Sequence, residues 1–187
     1  MSDLSHAHSP IEHAVENLCG NLLKKSTEFW EDRNKAMLEL TRVIRKFEGA
    51  SPSTLHEMFN INVYRALIEP VKQMILDLRS QQVRDTCIFL TLLSKITGDL
   101  MRFFLRDTFE SIFIAVKAPH KIMSGYVDEC IISMLQHTTF KSAIPVFIGE
   151  YRESKSKAAR EKCLVRIGVY WILSVCIVGV TSLDSLL

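Results

Sequence analysis

Along nearly the whole chain apolar residues recur at three- and four-residue steps, and strict alternation is rare, so the predicted elements are helices. From 11 to 23, Ile11, Val15, Leu18, Leu22 and Leu23 form one stripe, which Lys24, Lys25 and Ser26 break. A second helix opens at Glu31 and turns Ala36, Met37, Leu40, Val43, Ile44 and Phe47 inward. Gly49 and Pro52 stop it by supplying φ freedom and removing a backbone donor. The stretch 55–78 reads as one or two helices, with a kink or a boundary at Pro70. Ser80 is placed as the N-cap of a helix carrying Val83, Cys87, Leu90 and Leu93. Gly98 opens a segment over 99–116 that ends at Ala118, Pro119 and His120. Lys121 then opens a helix to Leu135. Pro145 lies in the first turns of a helix reaching Tyr151, and a basic, serine-rich turn over 152–156 leads into the last one.

These helices repeat. Aligned on a small residue, the second helices of four successive pairs read Arg33-Asn34-Lys35-Ala36-Met37, Arg84-Asp85-Thr86-Cys87-Ile88, Val127-Asp128-Glu129-Cys130-Ile131 and Arg160-Glu161-Lys162-Cys163-Leu164. The shared pattern is a base, an acid or amide, any residue, a small residue and an aliphatic. In stacked helical pairs the small residue lets neighbouring helices approach and the aliphatic fills the seam. Arg33, Arg84, Asp85, Asp128, Arg160 and Glu161 are therefore expected to form a ladder of ion pairs between successive repeats. The predicted fold is all-α, an α-solenoid of HEAT-like helical pairs with about four repeats.

Composition supports one ordinary folded unit: 187 residues with 48% hydrophobic and 24% charged positions. A formal net charge of +2 gives no global field for a polyanion, so no nucleic-acid partner is expected. Cys19, Cys87, Cys130, Cys163 and Cys176 are odd in number and set in apolar helical patterns. They suit reduced, packed thiols in a cytosolic protein better than a disulfide framework. The polar N-terminus, with Ser2, Asp3, His6 and His8, has no secretory pattern.

Catalytic chemistry finds no support. The glycines are scattered and none precedes a Lys-Ser/Thr pair, so no phosphate loop is present. His6, His8 and His13 lack cysteine or carboxylate partners at zinc spacing, and no Ser-His-Asp or Cys-His set can be assembled. No enzyme activity, metal or cofactor is expected.

Three stretches carry a resemblance. They are Phe29-Trp30-Glu31-Asp32-Arg33 with Ala36 and Leu40; Asp77-Leu78-Arg79-Ser80-Gln81-Gln82-Val83-Arg84-Asp85-Thr86-Cys87; and Lys155-Ser156-Lys157-Ala158-Ala159-Arg160-Glu161-Lys162-Cys163. The segment from Lys121-Ile122-Met123-Ser124 through Asp128-Glu129-Cys130 fits less tightly. In order and spacing they resemble the TOG domain, the HEAT-repeat array that binds the tubulin heterodimer, as found in CLASP-type microtubule-associated proteins. In that family one edge of the stack, made by the turns within each helical pair, faces tubulin. The resemblance thus implies contacts by Trp30, Ser80, Gln81, Lys121, Lys155 and Lys157. It also implies a non-catalytic role in microtubule dynamics in the cytoplasm, at microtubules and the spindle. Read from the residues alone, Trp30 is more often a core plug or staple, turn lysines are usually solvated, and Ser80 does no more than cap its helix.

The expected domains are a flexible N-terminus over 1–10, the helical array over 11–164 and an apolar helix or divergent tail over 165–187. After Cys163 the chain is expected to leave the family pattern, without the fifth-turn basic contact of TOG domains. Residues 167–180 are almost wholly apolar and follow Lys155, Lys157, Arg160, Lys162 and Arg166. That stretch reads as a buried helix, as the end of a fragment, or as a short membrane anchor, although it falls short of the ~20 residues a spanning helix needs. Two rival readings follow: a HEAT-type scaffold that ignores tubulin, and a tail-anchored protein with a cytosolic helical stack.

Overall fold

The computed structural model describes residues 10–23, 29–117, 120–139, 143–155, 157 and 160–168. Its helices are α1 (Pro10–Leu22), α2 (Trp30–Arg45), α3 (Pro52–Met58), α4 (Ile61–Ile75), α5 (Ser80–Thr97), α6 (Arg102–Val116), α7 (Lys121–His137) and α8 (Ala143–Glu153). A short 3-10 turn, Gly98–Met101, precedes α6, and a further helical stretch covers 160–168. Among the described residues there is no strand, and no helix is long and apolar enough to cross a membrane. Of the expected N-terminal segment only Pro10 is described. Beyond Gly168 the apolar tail, with Cys176, lies outside the described residues, and so do His6 and His8.

Two boundaries differ from the sequence expectation. Pro70 lies buried inside α4, and the break in 55–78 falls at Asn60 instead. The Asn60 side-chain oxygen accepts the N–H groups of Asn62 at 2.9 Å and Val63 at 3.3 Å, while Ser51 caps α3 through the Thr54 N–H at 3.2 Å. Two side-chain caps thus outweigh one missing proline donor. Ser80 is the first residue of α5 and makes no capping bond, since Arg79 holds the N-cap position. The Asp77 carboxylate accepts the Arg79 N–H at 2.8 Å and organises that corner.

Each pair runs up one layer and down the other. Helices α1, α4, α6 and α8 neighbour one another in sequence, as do α2, α5 and α7, and each member of the first set leads through a corner into the second. This is a two-layered α-solenoid of HEAT-like pairs. The aligned small residues Ala36, Cys87, Cys130 and Cys163 are all buried, as the repeat pattern requires. The aliphatics that follow them divide: Met37 and Ile131 fill the seam, while Ile88 and Leu164 are exposed. In α5 the seam is filled by the next residue, Phe89, which is wholly buried.

Where neighbouring pairs meet, Phe47 packs on Phe59 edge-on at 5.3 Å, and contacts continue through Tyr64 of α4 to Phe104 of α6. A second cluster joins Phe109 and Phe113 to Phe147 of α8. Burying one such ring contributes about 1.5–3 kcal/mol, so these clusters bind neighbouring pairs more firmly than any surface ion pair does. At the edge where one pair passes to the next, Gly98 adopts φ +51°. There the Asp99 carboxylate accepts the Thr139 N–H at 2.6 Å and its hydroxyl at 2.8 Å.

Candidate functional site

Since every second-layer helix descends from the same edge, the corners within pairs follow one another along one rim. Contacts between corners establish the order. The Arg79 guanidinium lies 5.8 Å from the Trp30 ring centroid, and the Gln82 amide donates to the Trp30 carbonyl at 2.9 Å. Buried Arg33 pairs with Asp77 at 3.4 Å. A notch of about 290 Å³ between the second and third corners is lined by Leu76, Leu78, Val83, Ile114, Lys117 and Met123. Lys117 pairs with Glu150 of α8, and Lys162 pairs with Asp128 and reaches the Ser124 hydroxyl at 3.3 Å, which joins the third corner to the fourth.

The residues singled out for this edge sit differently from one another. Trp30 opens α2 and is half-buried, clamped by Arg79 on its ring and Gln82 on its carbonyl. Ser80 and Gln81 are exposed, but the Gln81 amide is engaged by both Asp85 carboxylate oxygens, at 3.0 and 2.9 Å. Lys121 and Lys155 are exposed and have no ion pair among the described residues. Lys157 meets Glu161 at 3.7 Å across one turn, with both side chains largely in solvent, where such a pair contributes little.

The ladder takes a form the repeat alignment does not give. Ion pairs between repeats include Arg33 with Asp77, Lys117 with Glu150, and Asp128 with both Lys162 and Arg166. Arg84 is exposed, Arg160 donates to the Ser154 carbonyl at 2.8 Å, and Glu161 pairs with Lys157, four residues earlier. Between α5 and α7 the seam carries thiols instead. The Cys130 sulfur beside it, together with burial, holds the Cys87 thiol well above its ordinary range. Lys162 and Arg166 are thus occupied by Asp128. Arg166 is buried between Asp128 and the rings of Phe113 and Phe147, 5.5 and 5.8 Å away, and burial lowers its pKa to about 10.

Sequence reasoning passed over the apolar part of the rim. Leu78 is 93% exposed in the second corner, Ile122 is 58% exposed in the third, and Phe29 is exposed in the first. The only signal for Leu78 is its place between Asp77 and Arg79, two residues before a helix, where neither helical face can cover it.

Comparison with protein families matches residues 11–172 to the family described as CLASP N terminal. The chain belongs to the CLASP N-terminal family. The match runs past Cys163, where the family pattern was expected to end, and includes the start of the apolar tail. Membership places this domain in a HEAT-like helical-repeat family and suggests a microtubule-associated module. No match is found among curated proteins.

Proposed function

We propose that this CLASP N-terminal domain binds the tubulin heterodimer or the microtubule through its corner rim, and so regulates microtubule dynamics in the cytoplasm and on the spindle. One observation carries the reading: successive corners along a single edge present exposed lysines, Lys121, Lys155 and Lys157, beside an apolar anchor, Leu78. Cations of this kind suit an acidic partner, and a leucine side chain 93% exposed to solvent offers apolar area that a partner can bury. Trp30 contributes a half-buried ring at the first corner, held in place by Arg79. Ser80 and Gln81 shape the opening of α5, and Gln81 contacts the partner only by giving up Asp85.

Size-exclusion chromatography with tubulin at two salt concentrations tests this. Co-migration is expected at low salt and weaker association at high salt, because the rim lysines are solvent-screened. Leu78→Ser with Lys121→Glu alters only exposed side chains, so the fold is retained, and it is expected to abolish co-migration. Trp30→Ala with Lys121→Ala is expected to weaken it. Unchanged co-migration in both variants would reject the rim as the tubulin-facing surface.

A further inference from the structure

A second surface lies on the opposite edge of the first layer. The N-terminal halves of α4 and α6 enclose a groove of about 740 Å³, whose floor is Phe59, Tyr64 and Phe104 and whose lip carries Ile61 and Phe103. Phe103 is 56% exposed and Ile61 44% exposed, both on helix faces that no other described element covers. The groove is set about one helix length, roughly 20 Å, from the rim, since the rim adjoins the C-terminal ends of the same helices.

Charge around this apolar floor is arranged with one sign free. Asp107 is taken by Arg106 at 2.9 Å, and Arg106 also lies over the Phe103 ring at 5.7 Å. Asp99 is occupied by Thr139. Arg65 and Arg102 are exposed on opposite walls and have no carboxylate partner among the described residues, although Arg102 donates to the Asp99 carbonyl at 3.2 Å. His56 stands at the end of the groove.

From this geometry we infer that the α4–α6 groove docks an acidic peptide of another protein, one that inserts a bulky apolar side chain between Ile61 and Phe103 and places carboxylates on Arg65 and Arg102. Guanidinium pairs flanking an aromatic lip favour carboxylates by bidentate bonding, and the apolar floor supplies the burial that charge alone does not. The domain thereby carries two separate surfaces, one on each edge. The groove's occupancy does not depend on what the rim binds.

Fluorescence anisotropy of a synthetic peptide with phenylalanine and leucine one helical turn apart among glutamates tests this, beside a twin in which every glutamate is lysine. The acidic peptide is expected to bind and its lysine twin not to bind. Arg65→Glu with Arg102→Glu should weaken binding by about tenfold or more, and Phe103→Ser by about tenfold. These side chains are exposed, and circular dichroism confirms that each variant stays folded. Leu78→Ser with Lys121→Glu, on the other edge, should leave peptide binding unchanged. Equal binding of the lysine twin, unchanged affinity in the groove variants, loss in the rim variant, or retention of the chain by anionic phospholipid vesicles without peptide binding would each overturn the assignment.

Discussion

Asp128 stands where α7 meets the helical stretch that follows α8. It receives Lys162 and buried Arg166, and so fastens the helical stretch 160–168 to α7. A guanidinium with only 3% of its side chain exposed keeps its charge because a carboxylate and two aromatic faces surround it. Removing the acid leaves the desolvation cost without its compensation. Asp128→Asn is therefore expected to destabilise the domain by about 3 kcal/mol, read by urea denaturation. Hydrogen exchange should show the largest loss of protection over 160–168. In sequence, Arg166 is the last member of the basic run that precedes the apolar stretch 167–180. Nothing local marks it as the buried base, because its partner lies 38 positions away on another helix and two of its neighbouring rings come from still others.

At the scale of elements, the helical stripes were legible because each needs only its own apolar periodicity. In α2 the buried positions Arg33, Ala36, Met37, Leu40, Thr41 and Ile44 keep three- and four-residue steps. Boundaries were less legible where two local signals competed. Pro70 suggested a break, yet Asn60 makes it, with two cap bonds and a further 2.9 Å bond from its amide to buried Glu12 of α1. Asn60→Ala removes the cap and one of the two amide donors that Glu12 receives from this corner, the other being Asn62 at 3.1 Å. It should cost about 1–2 kcal/mol, measurable as a lower denaturation midpoint with unchanged m-value. A gain in stability would mean that α4 starts elsewhere.

For the molecule as a whole, buried acids of very weak acidity set an alkaline limit. Burial pushes the Cys19 thiol from 9.0 up to about 12, and Cys87 and the Tyr64 phenol are raised by their surroundings as well. Above pH 9 the unfolded chain gives up the Cys19 proton while the folded one retains it, so stability falls as pH rises from about 9 towards 12. The loss is at most about 1.4 kcal/mol per pH unit for each thiol held back. Thermal denaturation at pH 8, 9 and 10 should show the midpoint flat and then falling. Cys19→Ala should reduce the slope. The same burial makes Cys19 and Cys87 poor thiolates, in keeping with the reduced, packed role expected from their positions.

Helix content, the order of pairs and the small-residue seam at Ala36, Cys87, Cys130 and Cys163 were determined by the sequence itself, because periodicity and residue volume are properties of short segments. The three motif stretches carried the family for the same reason, since order and spacing survive without coordinates. Only the tertiary structure decided which charges meet, that Leu78 stands in solvent, that Gln81 is engaged by Asp85, and that Arg65 and Arg102 face one groove across α4 and α6. Those facts depend on where distant segments come to rest against each other, and a side chain's partner across a layer is set by packing that no local pattern encodes.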